Sequence, residues 1–194
     1  MAKNTEIITP TAKGVVRNFL QDKYGCHFTE KYYNGLDNKI YGDYGYQHGD
    51  LLFNVDFKHS WYNSGSVSLE LTDYKKETWL LNNNIHYLCF ETPKEIVILK
   101  KRTMLHFAKQ CIIADYGSGR DFFATSTHLK YNKDFKDLSI QNLKHFRPMF
   151  VPEKYKSLIK EYVECHCSKK QGCIASVKIS FLKMCNLIEF YYLK

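Results

Sequence analysis

"LLFNVDFKHS" (residues 51–60) sorts its side chains at a period of two, which is the signature of a β-strand. Leu51, Phe53, Val55 and Phe57 fall on one face, and Leu52, Asn54, Asp56 and Lys58 on the other. A carboxylate and an amine two residues apart on one face of a strand are either surface decoration or the kernel of a metal-dependent hydrolytic site. Just upstream, "HGD" (48–50) is turn chemistry. It folds a strand expected near 39–47 back against 51–58 as a hairpin.

Outward from this hairpin the chain reads as alternating elements. "TPTAKGVVRNFLQDKYG" carries Val15, Val16, Phe19 and Leu20 at helical spacing. Thr9 is its candidate cap, Pro10 suits its first turn, and Gly25 follows its last turn. "SVSLELT" (66–72) alternates again, with Val67, Leu69 and Leu71 opposite Ser66, Ser68, Glu70 and Thr72. "IHYLCFE" (85–91) and "EIVILK" (95–100) are further strands. "RTMLHFAKQCII" (102–113) reads as a helix with Thr103 as its cap, and "RDFFATST" (120–127) as another strand. Past 128 the pattern weakens. "PEKYKSLIKEYVEC" suggests a helix from Pro152, and "SVKISFLKMCNLIEFYYLK" is compatible with a hairpin or a helix. The order of elements predicts an α/β or α+β domain. We expect a core over 1–127 and a C-terminal extension over 128–194, separate or integral to the same domain.

The chain's 194 residues are enough for one domain with a substantial core. No apolar run approaches bilayer length and the first residues lack a signal-peptide core, so a cytoplasmic protein without a membrane partner is expected. The formal net charge of +8 and pI near 9.0, with 15 Tyr and 13 Phe, suit a polyanion with stackable bases. A solvated Lys-rich surface is the alternative. The seven cysteines are odd in number and show no secreted disulfide framework.

Phosphodiester hydrolysis needs carboxylates to hold a divalent cation and a nearby cation to orient water and offset growing charge. One Asp seldom fixes Mg²⁺ alone, so a second acid must come from a neighbouring strand. Asp43, on the partner strand of the hairpin, is the natural candidate, and Asp37 and Asp50 are alternatives. Glu70 becomes the third acid if strand 66–72 pairs beside strand 51–58. The competing reading is a solvent-facing Asp56–Lys58 pair worth a few tenths of a kcal/mol, with Asp43 tuning a turn.

In this order, Asp43 followed by "VDFK" (55–58) resembles the PD-(D/E)xK nuclease signature, with Gly42 where the name has Pro. "NSGSVSLELT" and "ETWLLNNNIHYLCFETPKEIVILKKRTMLHFAKQ" are similar to the segments that follow in small phage and bacterial members, so the resemblance covers roughly residues 10–125. It implies a restriction-endonuclease-like mixed sheet flanked by helices. It implies Asp43 and Asp56 as ligands of Mg²⁺ or Mn²⁺ with the Phe57 backbone carbonyl, Lys58 positioning the attacking water, and Glu70 as an accessory acid. It also implies DNA as substrate and 5′-phosphate products, with a homodimer as the form in which related folds often cut both strands. Many members carry a Glu on the first helix; here that helix offers Asp22, with Glu30 beyond.

"ECHCSKKQGC" gathers Cys165, His166, Cys167 and Cys173, a set that suits structural Zn²⁺, although Cys-x-Cys is tighter than the usual spacing. Two other functions stay open. One is a catalytically inactive nucleic-acid-binding module on the same fold. The other is a protein-interaction factor such as a phage inhibitor.

Overall fold

A computed structural model describes residues 11–59, 65–73, 76–77, 80, 82–116, 150–168 and 172–194. Helix α1 (Ala12–Tyr24) is capped by Thr11, whose hydroxyl accepts from the Gly14 N–H, rather than by Thr9. It ends on Gly25 in the left-handed region, whose N–H closes on the Gln21 carbonyl. Strand β1 (Thr29–Tyr32) and helix α2 (Gly35–Tyr41) follow. The hairpin is β2 (Tyr44–His48) and β3 (Leu51–His59), joined at Gly49–Asp50 as expected. The strand expected from 39 instead begins at 44, because α2 occupies the preceding residues.

Next come β4 (Ser66–Asp73), β5 (Lys76–Glu77), β6 (Tyr87–Glu91), β7 (Glu95–Lys100) and α3 (Lys101–Tyr116). The last of these starts directly from β7, so Thr103 lies inside the helix and does not cap it. A 3₁₀ segment (Glu153–Leu158) leads through α4 (Ile159–Tyr162) into a second hairpin, β8 (Val163–Ser168) and β9 (Gly172–Lys178). Thus the helix expected from Pro152 gives way to strand at Val163. The tail is α5 (Ile179–Met184) and β10 (Phe190–Leu193). The strand expected at 120–127 lies outside the described residues.

The protein is a mixed α+β structure. Its larger sheet has the order β1-β2-β3-β6-β7-β10 and the smaller β5-β4-β9-β8. Within the larger sheet β3 and β6 are parallel and the other pairs antiparallel. A parallel pair needs a crossover, and β4 and β5, which leave for the second sheet, lie within it. The C-terminal strands belong to both sheets: β9 pairs with β4, and β10 closes on β7.

One face of the larger sheet is covered by α1. Val15, Val16, Phe19 and Leu20 pack on Tyr46, Val55, Cys89 and Ile98. Its other face presents Leu88, Phe90, Val97 and Leu99 to Val67, Leu69, Ala175 and Val177 of the second sheet and to Met104 and Phe107 of α3. Covered on both faces, β6 and β7 are apolar at nearly every position rather than alternating. Full burial of each Leu or Ile there contributes about 1.5–3 kcal/mol.

Candidate functional site

The polar side of β3 is not a solvated face. Asn54 and Asp56 are both buried, and the register Asp56↔Leu88 puts Asp56 on the face covered by the second sheet. What surrounds it is set by the way the chain enters β2.

Strand β2 begins at Tyr44, opposite Val55. One turn earlier the chain must leave α2 and press against β3. Gly42 makes that turn at φ 83° and ψ −160°, a region essentially restricted to glycine. A Cβ at this position would lie 2.9 Å from the Val55 carbonyl oxygen. The close approach fixes the next residue from both sides. The Asp43 N–H donates to the Val55 carbonyl at 3.0 Å, and the Asp43 carbonyl accepts the Tyr33 N–H at 3.0 Å.

The Asp43 side chain then takes the place of the strand partner that β2 no longer supplies. Its Oδ2 accepts the Phe57 N–H at 2.6 Å, and its Oδ1 accepts from Asn38 Nδ2 of α2 at 2.6 Å. The Val55 carbonyl and the Phe57 N–H both face Asp43, and alternate residues of a strand present their backbone groups to the same side. The Phe57 carbonyl therefore also points to the Asp43 side of β3.

Asp56 is only 6% exposed. Its Oδ2 lies 2.7 Å from the Lys58 Nζ, so the buried carboxyl is paired with the Lys58 ammonium. Burial pushes the Asp56 carboxyl above its ordinary range, the Lys58 ammonium pulls it back, and the adjacent Asp43 carboxyl pushes it up again, with burial the largest effect. Two carboxyl groups thus meet the Lys58 ammonium in one corner.

Further residues hold the corner in shape. The Tyr33 hydroxyl donates to Asn54 Oδ1 at 3.1 Å, and its ring lies where a side chain at Gly45 would be. Burial raises the Tyr33 pKa, so the phenol stays protonated as that donor. Asn54 Nδ2 donates to the Asn84 carbonyl at 2.9 Å. Asn82 donates to the Lys39 and Ile40 carbonyls, tying the end of α2 to the loop before β6.

The structure thus brings Asp43, Asp56, Lys58 and the Phe57 backbone together. Asp37 is exposed in the first turn of α2, and Asp50 is exposed in the β2–β3 turn. Asp22 is exposed on α1, and Glu30 pairs with Arg17 at 3.2 Å. Glu70 does not arrive by the expected route, because β6 rather than β4 lies beside β3. On β4 it alternates with Val67 and Leu69, which face the shared core, and the charges acting on Asp56 come from Lys58 and Asp43. Among the described residues no group of three His, Cys, Asp or Glu side chains is placed to hold a metal. Cys167 stands opposite Cys173 in the β8–β9 register and Cys165 opposite Ala175, but the three cysteine side chains lie outside the described residues.

Asn38 and Tyr33 are the contributors that sequence reasoning missed. Their roles depend on where α2 and β1 dock, and no local pattern announces that. Asn54 was visible on the polar face, two residues before Asp56.

Comparison of the chain with protein-family models, with curated proteins and with solved structures finds no match. Among the described residues no helix is long and apolar enough to cross a membrane.

Proposed function

We propose that the Asp43–Asp56–Lys58 corner is the site of a nuclease that uses Mg²⁺ or Mn²⁺ to hydrolyse DNA phosphodiester bonds. The observation that carries this reading is the meeting of two carboxyl groups in a buried corner beside one ammonium, enforced by a backbone turn that only glycine tolerates. A divalent cation fits the corner. Even with the Lys58 ammonium 2.7 Å from its Oδ2, the Asp56 carboxyl is pushed upward by burial and by the adjacent Asp43 carboxyl, a balance that a bound cation would relieve. Asp43, Asp56 and the Phe57 carbonyl would hold the ion, in keeping with the PD-(D/E)xK resemblance. When bound, it would polarise the phosphate and make water a better nucleophile.

The chain's own groups have separable tasks. Asn38 and the Phe57 N–H aim the Asp43 carboxylate. The Lys58 side chain, one-third exposed, reaches from the buried Asp56 toward solvent, where its ammonium can orient water and offset charge on a phosphate. The surplus of eight positive charges favours a polyanionic substrate. Gly42 stands where the family name has Pro, at a φ that Pro cannot adopt.

The test is cleavage of supercoiled and linear DNA by purified protein with Mg²⁺ or Mn²⁺, beside Asp56→Asn and Lys58→Ala. Metal-dependent cutting that both variants lose while remaining folded supports the reading. No cutting by the wild type, or undiminished cutting by both variants, refutes it. A second reading draws on the donors that already occupy both Asp43 oxygens. A corner so well tied can be structural, leaving a nucleic-acid-binding module without chemistry. DNA retention without metal-dependent cutting would select it.

A further inference from the structure

At the end of the larger sheet, between the last turn of α1 and the first turns of α3, lies an open cleft of about 630 Å³. That is the size range of small-ligand sites. Its walls differ in chemistry. On one side Tyr24 stacks on Phe53 at 4.6 Å between ring centroids, and the Tyr24 hydroxyl meets that of Tyr87 at 3.0 Å. This pins the Tyr24 ring while leaving it 39% exposed. On the other side stand Lys101, Arg102 and His106, from the start of α3, with His86 from the residue just before β6. Among the described residues that line the cleft none is acidic.

The His86 ring is held in one orientation. Its Nδ1 accepts the Asn54 N–H at 3.0 Å, so the neutral ring carries its proton on Nε2 as a donor. Burial, with the Lys101 ammonium nearby, lowers the His86 pKa and favours that neutral form. Lys101 is itself only 4% exposed. Two lysines, an arginine and two imidazoles therefore converge on one cavity, opposite a fixed aromatic wall.

We infer that this cleft binds a nucleotide unit, with its phosphate on the Lys101–Arg102–His106 side and its base against Tyr24 and Phe53. The aromatic wall alone would suit any flat apolar ligand, and the cationic wall alone any small anion. The two together select a ligand carrying both parts. The cleft shares β3 with the carboxylate corner, since Phe53 lies about 10 Å along the strand from Asp56. It does not depend on that corner, and its binding chemistry needs no metal.

The experiment is calorimetric titration of the full chain in EDTA with dAMP, deoxyadenosine and inorganic phosphate, followed by competition with a short single-stranded oligonucleotide. Binding of dAMP should exceed that of either half-ligand by at least about tenfold. Arg102→Glu and His106→Ala, both at exposed positions, should weaken dAMP by a similar factor, whereas Asp56→Asn should leave it unchanged. An oligonucleotide that competes far better than dAMP identifies a nucleic-acid strand as the source of the unit, and one that competes no better identifies a free nucleotide. The inference fails if dAMP does not bind, if phosphate binds as well as dAMP, or if Arg102→Glu changes nothing. Because metal is absent throughout, a protein that binds dAMP but cuts no DNA overturns only the nuclease reading, and the reverse result only this one.

Discussion

Replacing Gly42 by alanine tests the geometry on which the carboxylate corner depends. Two costs add at this residue. The backbone at φ 83° and ψ −160° is essentially closed to other residues, at about 1–3 kcal/mol. The new methyl would also lie 2.9 Å from the Val55 oxygen and 3.3 Å from the Asp56 nitrogen. These are backbone atoms of a central strand and cannot swing aside, so overpacking adds about 1–3 kcal/mol. The reduced freedom of the unfolded chain returns about 0.4–1 kcal/mol. A net loss of about 2–4 kcal/mol is expected, which moves the urea midpoint by roughly 1–2 M at an m-value near 2 kcal/mol/M. Gly49 supplies the control. It too has a positive φ, 55°, but a Cβ there meets nothing within 4 Å. Gly49→Ala should therefore cost only about 1–2 kcal/mol. The assay is equilibrium urea denaturation of the three proteins followed by circular dichroism. If Gly42→Ala is no less stable than Gly49→Ala, the chain is not pressed onto β3 at this point and the account of how Asp43 is positioned is wrong.

Other outcomes follow from the same corner. Because the Asp56 carboxyl is raised in the folded protein, its contribution to stability is full below its ordinary value of 3.8 and is lost as pH rises through the raised value. Asp56→Asn should accordingly unfold at a higher temperature than wild type at pH 7–8, with the gap closing toward pH 4; a variant less stable at neutral pH would contradict this. Asp43→Ala should act in the opposite sense, losing about 1–3 kcal/mol by orphaning the Phe57 N–H and releasing Asn38, as read by thermal denaturation. Tyr33→Phe removes one buried hydrogen bond to Asn54 and should cost about 1 kcal/mol. Mn²⁺ should raise the melting temperature of the wild type by mass action and leave that of Asp56→Asn unmoved; equal shifts in both would place the ion elsewhere.

The β2–β3 hairpin was legible because its signals are local: alternation along 51–58 and a glycine turn between the arms. Asp43 lies beside Asp56, but on the turn between α2 and β2 rather than on the strand expected from 39. Helix α2 is short and none of its residues is buried, so it has no apolar stripe to betray it. Its C-terminal end is held by tertiary bonds from the amide of Asn82, which lies more than forty residues away. The neighbour of β3 was misjudged for a different reason. Sequence order suggests a meander, whereas "YLCFE" and "EIVIL" are apolar without alternation, the mark of strands covered on both faces, and these fill the centre of the sheet. Past Val163 the alternation of Val163, Ala175 and Val177 toward the core was obscured by reading the cysteines between them as ligands.

The second sheet also shapes how the chain finds its structure. Strand β4 pairs with β5, only two residues long, and otherwise with β9, which lies more than half the chain's length away. Closing so long a loop is entropically costly and slow, so assembly of this sheet should lag behind the local β2–β3 and β6–β7 hairpins. During that delay Val67 and Leu69 sit on an uncovered ribbon that another molecule's strand could seize. Dilute, cool refolding would therefore favour recovery of the native protein over clumping.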